Sequence, residues 1–155
     1  MRAQKRILEE QLNLCRYTYN TLLGYCYAER RAERGTPTHK SLTYHLPAMK
    51  AKTRELGKVF SQVLQNVAKR VRLGFENYWA KRRAGLKADT PHFRRVRDYG
   101  SLTYPQFGFK LDVSTLMLSK IGDLRLRLHR PVEGRIKTLT ISRSPSGKWY
   151  AARAR

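Results

Sequence analysis

Acidic residues are scarce in this 155-residue sequence, which has 11 Asp and Glu against 33 Lys and Arg and a formal net charge of +22. Acid–base catalysis and metal-dependent hydrolysis need carboxylates or histidines that converge on one site. Beyond Phe93 the only carboxylates are Asp98, Asp112, Asp123 and Glu133, and the four histidines show no HxH or HExxH spacing. The sequence therefore carries no recognisable active site.

Cysteines and long apolar runs are also few. Cys15 and Cys26 lie on one predicted helix, about 16 Å apart at the helical rise, which is too far for a disulfide. They lack the CxxC spacing of a zinc site, so we expect two core residues and no cofactor bound by this chain. No apolar run approaches transmembrane length and no signal-peptide core is present, so we expect a cytoplasmic protein without a membrane partner.

What the sequence has in excess is positive charge along its whole length. It has 19 basic and 7 acidic residues up to Phe93, and 14 and 4 beyond it. Hydrophobic residues at 41% and aromatic residues at 10% are sufficient for a folded core, which argues against a disordered polycation. Because self-repulsion at this charge destabilises a compact state unless a polyanion binds, the composition favours a nucleic-acid partner over a merely solubilising surface.

Apolar residues recur at helical spacing in the first half and predict helices over 3–34, 41–56 and 61–83. The first should end at Gly35. The second contains Pro47, which fits only its first turn or a kink. The third should begin with Ser61 as its N-cap. The predicted buried positions are Leu8, Leu12, Cys15, Tyr19, Leu22 and Cys26 on the first helix and Val63, Val67, Val71, Phe75 and Tyr78 on the third.

A basic connector over 81–98 precedes a second half in which apolar residues alternate with polar ones. This change of period predicts short strands joined by turns. The predicted fold class is α+β, a helical bundle joined to a small antiparallel β-barrel or curled sheet of OB-like type. The predicted strands cover 101–104, 109–119, 123–129, 135–143 and 147–153.

Polar side chains on the third helix are the best candidates for reading nucleic-acid bases. Gln62 and Gln65, with Asn66 beside them, share an outward face, and amides can form paired hydrogen bonds with base edges. An ordinary helix start rich in amides explains the same pattern equally well, so both interpretations stay open. Tyr44 and Tyr104 can stack on bases or pack in the core, and packing is the default expectation. The cations expected to contact phosphates are Lys69, Arg72, Arg82, Arg83, Arg94, Arg95, Arg97, Arg125 and Arg127.

Several separated motifs resemble one family. They are CRYTYN (15–20), SLTYHL (41–46), SQVLQN (61–66), PHFRR (91–95) and SLTYPQ (101–106), followed by KIGDLRLRLHRP and TISRSPSGKWY. Their identity and order are similar to those of the TnpB/OrfB proteins, which insertion sequences encode and which are related to type V CRISPR effectors. In that family an RNA from the transposon end guides a RuvC nuclease to duplex DNA beside a short target-adjacent motif.

The resemblance implies a division of the chain and a set of contacts. It implies a helical recognition lobe over 1–90 and a wedge β-barrel over 91–155. It also implies that a guide RNA and duplex target DNA are the partners, and that the chain functions in transposition. The contacts to the target-adjacent motif fall on Tyr44, Ser61, Gln62, Gln65 and Gln106.

The sequence also departs from the family pattern. Relatives begin with a strand of the form KxRLYP and continue into RuvC and zinc domains, which bind Mg²⁺ and Zn²⁺. We therefore expect the wedge to lack its first strand, the nuclease domains to be absent, and this chain alone not to be an enzyme. A nuclease-bearing partner, a homodimer and the start of an interrupted nuclease gene remain open. The alternative function is a structural RNA-binding protein of the ribosomal-protein kind.

Overall fold

The computed structural model describes residues 2–154 and has the α+β architecture that the sequence predicts. Helices come first in the chain and short strands follow. The helices are α1 (Arg2–Arg31), α2 (His39–Tyr44), α3 (Leu46–Lys52) and α4 (Ser61–Arg83), with 3₁₀ turns at Arg54–Lys58 and Val96–Asp98. The strands are β1 (Ser101–Tyr104), β2 (Phe109–Asp112), β3 (Thr115–Leu118), β4 (Gly122–Arg125), β5 (Thr138–Arg143) and β6 (Trp149–Ala154).

Helix α1 buries the whole predicted apolar stripe from Leu8 to Cys26. It ends earlier than predicted, because the left-handed residue that terminates it is Glu33 (φ 60°) rather than Gly35. The Arg34 N–H donates to the Glu29 carbonyl at 3.0 Å and the Glu33 N–H donates to the Arg30 carbonyl at 3.1 Å. These two hydrogen bonds form a Schellman motif, which satisfies the last carbonyls of the helix.

The single helix predicted over 41–56 is wrong. The segment forms α2, α3 and a 3₁₀ turn instead, and Pro47 lies in the first turn of α3. Proline has no N–H and its ring collides with the carbonyl four residues earlier, so α2 cannot continue through it. The Thr38 hydroxyl caps α2 by accepting a hydrogen bond from the Ser41 N–H at 3.2 Å.

Helix α4 has the predicted bounds but a different N-cap. Phe60 occupies the cap position and no side chain caps the helix. Ser61 is the first helical residue, and its hydroxyl accepts a hydrogen bond from Lys50 Nζ at 2.8 Å. The predicted stripe from Val63 to Phe75 is buried, whereas Tyr78 is only half-buried and does not belong to the core.

The strands form two three-stranded antiparallel sheets, ordered β1-β5-β6 and β2-β3-β4, rather than one closed barrel within residues 2–154. The predicted strand over 109–119 is a hairpin that turns at Val113, which has a φ of 47°. The strands predicted over 123–129 and 135–143 are shorter, because β4 ends at Arg125 and β5 begins at Thr138. Pro131 has no N–H to donate between them, which disfavours continued strand pairing.

One hydrophobic core unites α1, α4 and both sheets. Tyr104 of β1 is fully buried, stacks on Phe60 with ring centroids 5.8 Å apart, and donates its hydroxyl to the Ser119 carbonyl at 3.0 Å. This packing holds the loop after β1 beside the first turn of α4. Throughout the part of the chain that the structure describes, no helix is long and apolar enough to cross a membrane.

Candidate nucleic-acid interface

The N-terminal end of α4 meets the loop between β1 and β2. Gln62, half-buried on the first turn, accepts a hydrogen bond from the Phe107 N–H through Oε1 at 3.4 Å. Gln106, the residue before Phe107, is exposed. Gln106, although distant in sequence, therefore lies on a loop that contacts Gln62 at the N-terminal end of α4. The uncapped first turn adds backbone N–H groups and the positive end of the helix dipole.

Helices α2 and α3 border the same end of α4. His39 Nε2 lies 3.3 Å from the Gln65 carbonyl oxygen, and the Lys50–Ser61 hydrogen bond joins α3 to the first residue of α4. Tyr44, the last residue of α2, is 70% exposed, and the Lys40 ammonium lies 5.8 Å from its ring centroid. Tyr44 is thus a surface aromatic and not a core residue. We call Tyr44, Ser61, Gln62, Gln65 and Gln106 the readout face.

The amides of the readout face differ in what they can offer a ligand. Gln65 is exposed, its side-chain amide forms no hydrogen bond within the described chain, and its backbone carbonyl oxygen lies beside His39. Gln62 uses its side-chain oxygen to hold the Phe107 N–H, which leaves its NH₂ group for a ligand. Asn66 lies beside the face, and its Oδ1 accepts a hydrogen bond from Arg70 Nε at 3.1 Å. The side-chain oxygen of Asn66 is therefore already engaged, whereas the side chain of Gln65 presents both its oxygen and its NH₂ group.

Arg70, which the sequence analysis missed, fixes α4 against β1. Its guanidinium donates to the Ser101 carbonyl at 2.8 Å, to Thr103 Oγ1 at 2.9 Å and to Asn66 Oδ1 at 3.1 Å. The available signal was an arginine between the buried positions Val67 and Val71, four residues after an asparagine. Arg70 positions the readout face and is not itself displayed on it.

Two of the α4 cations that are predicted to contact phosphates, Lys69 and Arg72, behave differently. Lys69 is exposed, one turn after Gln65. Arg72 is half-buried and engaged within the protein: it pairs with Glu76 at 3.0 Å and donates to the Pro37 carbonyl at 3.1 Å. Lys69 is therefore free to meet a phosphate, whereas Arg72 holds the α1–α2 loop against α4. Arg82 and Arg83 are exposed at the far end of the helix.

The basic connector is attached to α1. The Arg94 N–H donates to Asn20 Oδ1 at 2.8 Å, and Asn20 Nδ2 donates to the Arg94 carbonyl at 3.0 Å. Arg95 pairs with Asp98 at 2.8 Å, and Arg97 Nε lies 3.9 Å from the same carboxyl group. The hydrogen bond from Arg95 holds the pKa of Asp98 below its ordinary value. The connector therefore presents exposed arginines from a fixed backbone.

The predicted phosphate contacts lie in separate regions. Lys69 lies near the readout face, Arg94, Arg95 and Arg97 lie on the connector, and Arg125 and Arg127 line a groove of about 560 Å³. That groove lies between β6 and the end of β4, and Lys148 also lines it. The structure does not bring these cations together at one small site. Their spacing suits an extended polyanion that crosses the surface.

Few of the cations are neutralised inside the protein. The sequence has 33 Lys and Arg. In the described chain, only Arg34, Lys58, Arg72, Arg95, Arg97 and Arg143 form ion pairs with carboxylates. Most of the positive charge is therefore available to a ligand. Between Arg2 and Ala154 no three His, Cys, Asp or Glu side chains are grouped so that they could hold a metal ion.

Comparison with known proteins gives an informative similarity. No protein-family model matches the chain. Over 92 residues, which are 58% of this chain, the sequence is 38% identical to an Escherichia coli (strain K12) protein named "Putative RNA-guided DNA endonuclease InsQ". The chain spans 21% of the length of that protein. This similarity supports the TnpB-like resemblance that the separated sequence motifs carry.

Proposed function

We propose that this chain is the nucleic-acid-binding portion of a TnpB-like, RNA-guided DNA endonuclease system. In this proposal residues 1–90 act as a recognition lobe and residues 91–155 as a wedge, which together hold a guide RNA and contact duplex DNA. The observation that carries the proposal is that α2, α3 and the β1–β2 loop contact the first turns of α4. Tyr44 lies on α2 and Gln106 lies on that loop, so both motif residues belong to elements that border the start of α4.

The chemistry of the readout face suits a short DNA motif. Gln65 can donate and accept at once, which is the pairing that an adenine edge requires in the major groove. Tyr44 offers an exposed ring for stacking, and the uncapped first turn of α4 favours a phosphate. Lys69 adds attraction without sequence preference. Base-edge and backbone contacts are thus arranged side by side on α4.

The scattered cations suit the RNA. Arginines on the connector and beside the β4–β6 groove are exposed and lie on different faces of the fold. A folded RNA can bridge such separated charges because its phosphates follow its own three-dimensional shape. We propose that this portion contributes binding, and that cleavage belongs to nuclease elements of the RuvC type.

A structural RNA-binding role is the second candidate, and the high net charge favours it. Such a protein would bind structured RNA without any preference among duplex DNA sequences. In contrast, a TnpB-like portion with its RNA should prefer one short duplex motif. Enrichment of a motif from a randomised duplex pool separates the two functions.

The proposal is tested by measuring affinity for structured RNA across a range of salt concentrations. If about six phosphates are neutralised, log affinity should fall with log salt with a slope of roughly −4 to −5. A slope near −1 would show that charge neutralisation contributes little and would contradict polyanion binding as the main function.

A further inference from the structure

Phe107 is a large apolar side chain displayed at the surface beside the readout face. It is 59% exposed at the tip of the loop between β1 and β2. Its N–H donates to Gln62 Oε1 at 3.4 Å, which ties the aromatic residue to a candidate base-reading amide. Phe107 therefore offers an aromatic face to a ligand beside the candidate base-reading amides.

The loop that carries Phe107 is fixed on both sides. The Pro105 carbonyl accepts a hydrogen bond from Thr138 Oγ1 at 3.0 Å, and the Gly108 carbonyl accepts one from the Ser119 N–H at 2.7 Å. Gly108 has a φ of 87°, and a Cβ there would lie 2.5 Å from the Phe60 ring. The loop therefore has little freedom, and Phe107 is presented in a preorganised position.

A basic depression adjoins the ring. Its volume is about 460 Å³, and Gln106, Phe107, Arg135 and Lys137 line it together with Pro105, Ile136 and Thr138. Arg135 and Lys137 are exposed, and no ion pair involves either of them in the described chain. No carboxylate lines the depression. In this depression the aromatic ring can stack on the face of a base, the two free cations can bind a phosphate, and the amide can pair with a base edge.

We propose that Phe107 stacks on a base at an opened step of duplex DNA, while Arg135 and Lys137 bind the phosphate that flanks this base. Apolar side chains that enter between base pairs unstack the step and bend the duplex. The duplex is favoured over an RNA loop because Gln62 and Gln106 border Phe107. This inference rests on the proposed function, in which those amides face duplex DNA.

The test compares two duplexes that differ at a single step. The full chain is titrated at low salt with a fully paired duplex and with the same duplex carrying one mismatched 2-aminopurine. A stacking side chain should favour the mismatch, because an unpaired base costs less to unstack. We expect at least about fivefold tighter binding to the mismatched duplex, with 2-aminopurine fluorescence quenched by the ring.

Variants separate stacking from charge. Phe107→Ala should abolish the mismatch preference and the quenching, and Phe107→Tyr should retain both. Val113→Ala is the matched control, since Val113 is an exposed apolar residue (83%) at the tip of a different turn. The double change Arg135→Ala and Lys137→Ala should weaken both duplexes and reduce the salt slope by about two. Thermal melting checks that each variant is folded.

The outcomes distinguish this inference from the proposed function. A wild-type protein that binds both duplexes equally, or a Phe107→Ala variant that keeps the preference, overturns the inference alone. If Phe107→Ala weakens binding to RNA hairpin loops and leaves the duplex preference intact, RNA is the occupant and the inference is also wrong. Failure of the wild-type chain to bind any nucleic acid would overturn the proposed function itself.

Discussion

At the scale of single residues, Arg70 connects the helices to the first sheet. Its guanidinium is half-buried and donates to acceptors on β1 and to Asn66. Removing it leaves the Ser101 carbonyl and Thr103 without their charged partner. We expect Arg70→Ala to lower the free energy of unfolding by about 2–3 kcal/mol, because hydrogen bonds to charged groups are stronger than neutral ones.

Urea unfolding of Arg70→Ala and Lys69→Ala measures this difference. Lys69 is adjacent in sequence and exposed, so its removal should change stability by no more than about 0.5 kcal/mol. Equal stability of the two variants would mean that the Arg70 contacts do not hold α4 against β1.

The sequence predicted the exposed candidate site residues more readily than the residue that holds their helix in place. Gln62 and Gln65 follow from helical periodicity, which assigns an outward face once Val63 and Val67 are buried. Arg70 did not follow, because its partners lie about thirty residues away on β1 and only the tertiary fold brings them close. Distant hydrogen-bond partners leave no local pattern in a sequence.

At the scale of elements, the β1–β2 loop depends on Gly108. An alanine there would combine an unfavourable φ of 87° with a Cβ at 2.5 Å from the Phe60 ring. Phe60 stacks on the buried Tyr104 and is the N-cap residue of α4, so its ring cannot move away without disturbing the helix start. We expect Gly108→Ala to destabilise the protein by roughly 2–3 kcal/mol.

Gly147→Ala provides the matched control for Gly108→Ala. Gly147 also has a positive φ of 77°, but an added Cβ there meets nothing within 4 Å. Its substitution should cost only the backbone strain, about 1 kcal/mol. Thermal melts of the two variants give the comparison, and equal melting temperatures would show that the contact with Phe60 contributes nothing.

Elements with strong local signals could be predicted, and those determined by unusual turns could not. The apolar stripe of α1 gave its type and buried face. The β2–β3 hairpin turns at Val113, a β-branched residue that rarely adopts a positive φ, so no glycine or asparagine marked the turn. The expected barrel required long strands on either side of Pro131, and strand pairing stops before that residue.

At the scale of the whole molecule, stability should depend on pH through the buried thiols. Burial raises the pKa of Cys15 from about 9 to about 12, and burial raises that of Cys26 to about 11. A thiol with a raised pKa in the folded state holds its proton more tightly there. The resulting stability is intact below pH 9 and is lost as the pH rises from 9 toward 12.

Chemical unfolding at pH 7.5, 8.5, 9.5 and 10 measures this loss. We expect the free energy of unfolding to be constant up to about pH 8.5 and then to fall. The double variant Cys15→Ala and Cys26→Ala should be less stable at neutral pH but have a flatter profile between pH 8.5 and 10. An equally steep profile would assign the alkaline loss to other groups.

In the proposed function, the net charge of the whole molecule attracts polyanions, and the readout face selects among them. Gln65 and Lys69 lie one turn apart on the exposed side of α4 and differ in what they can recognise. An amide discriminates between bases by about 1–3 kcal/mol, whereas an ammonium group attracts any phosphate.

The most direct measurement is therefore the affinity of the chain, with guide RNA supplied, for its selected duplex motif and for a scrambled duplex. Gln65→Ala should reduce the preference for the motif by at least about fivefold and leave RNA affinity and the melting temperature unchanged. Lys69→Ala should weaken both duplexes equally and reduce the salt slope by about one. If Gln65→Ala keeps the full preference, or unfolds the protein, the amide is structural and the readout assignment is wrong.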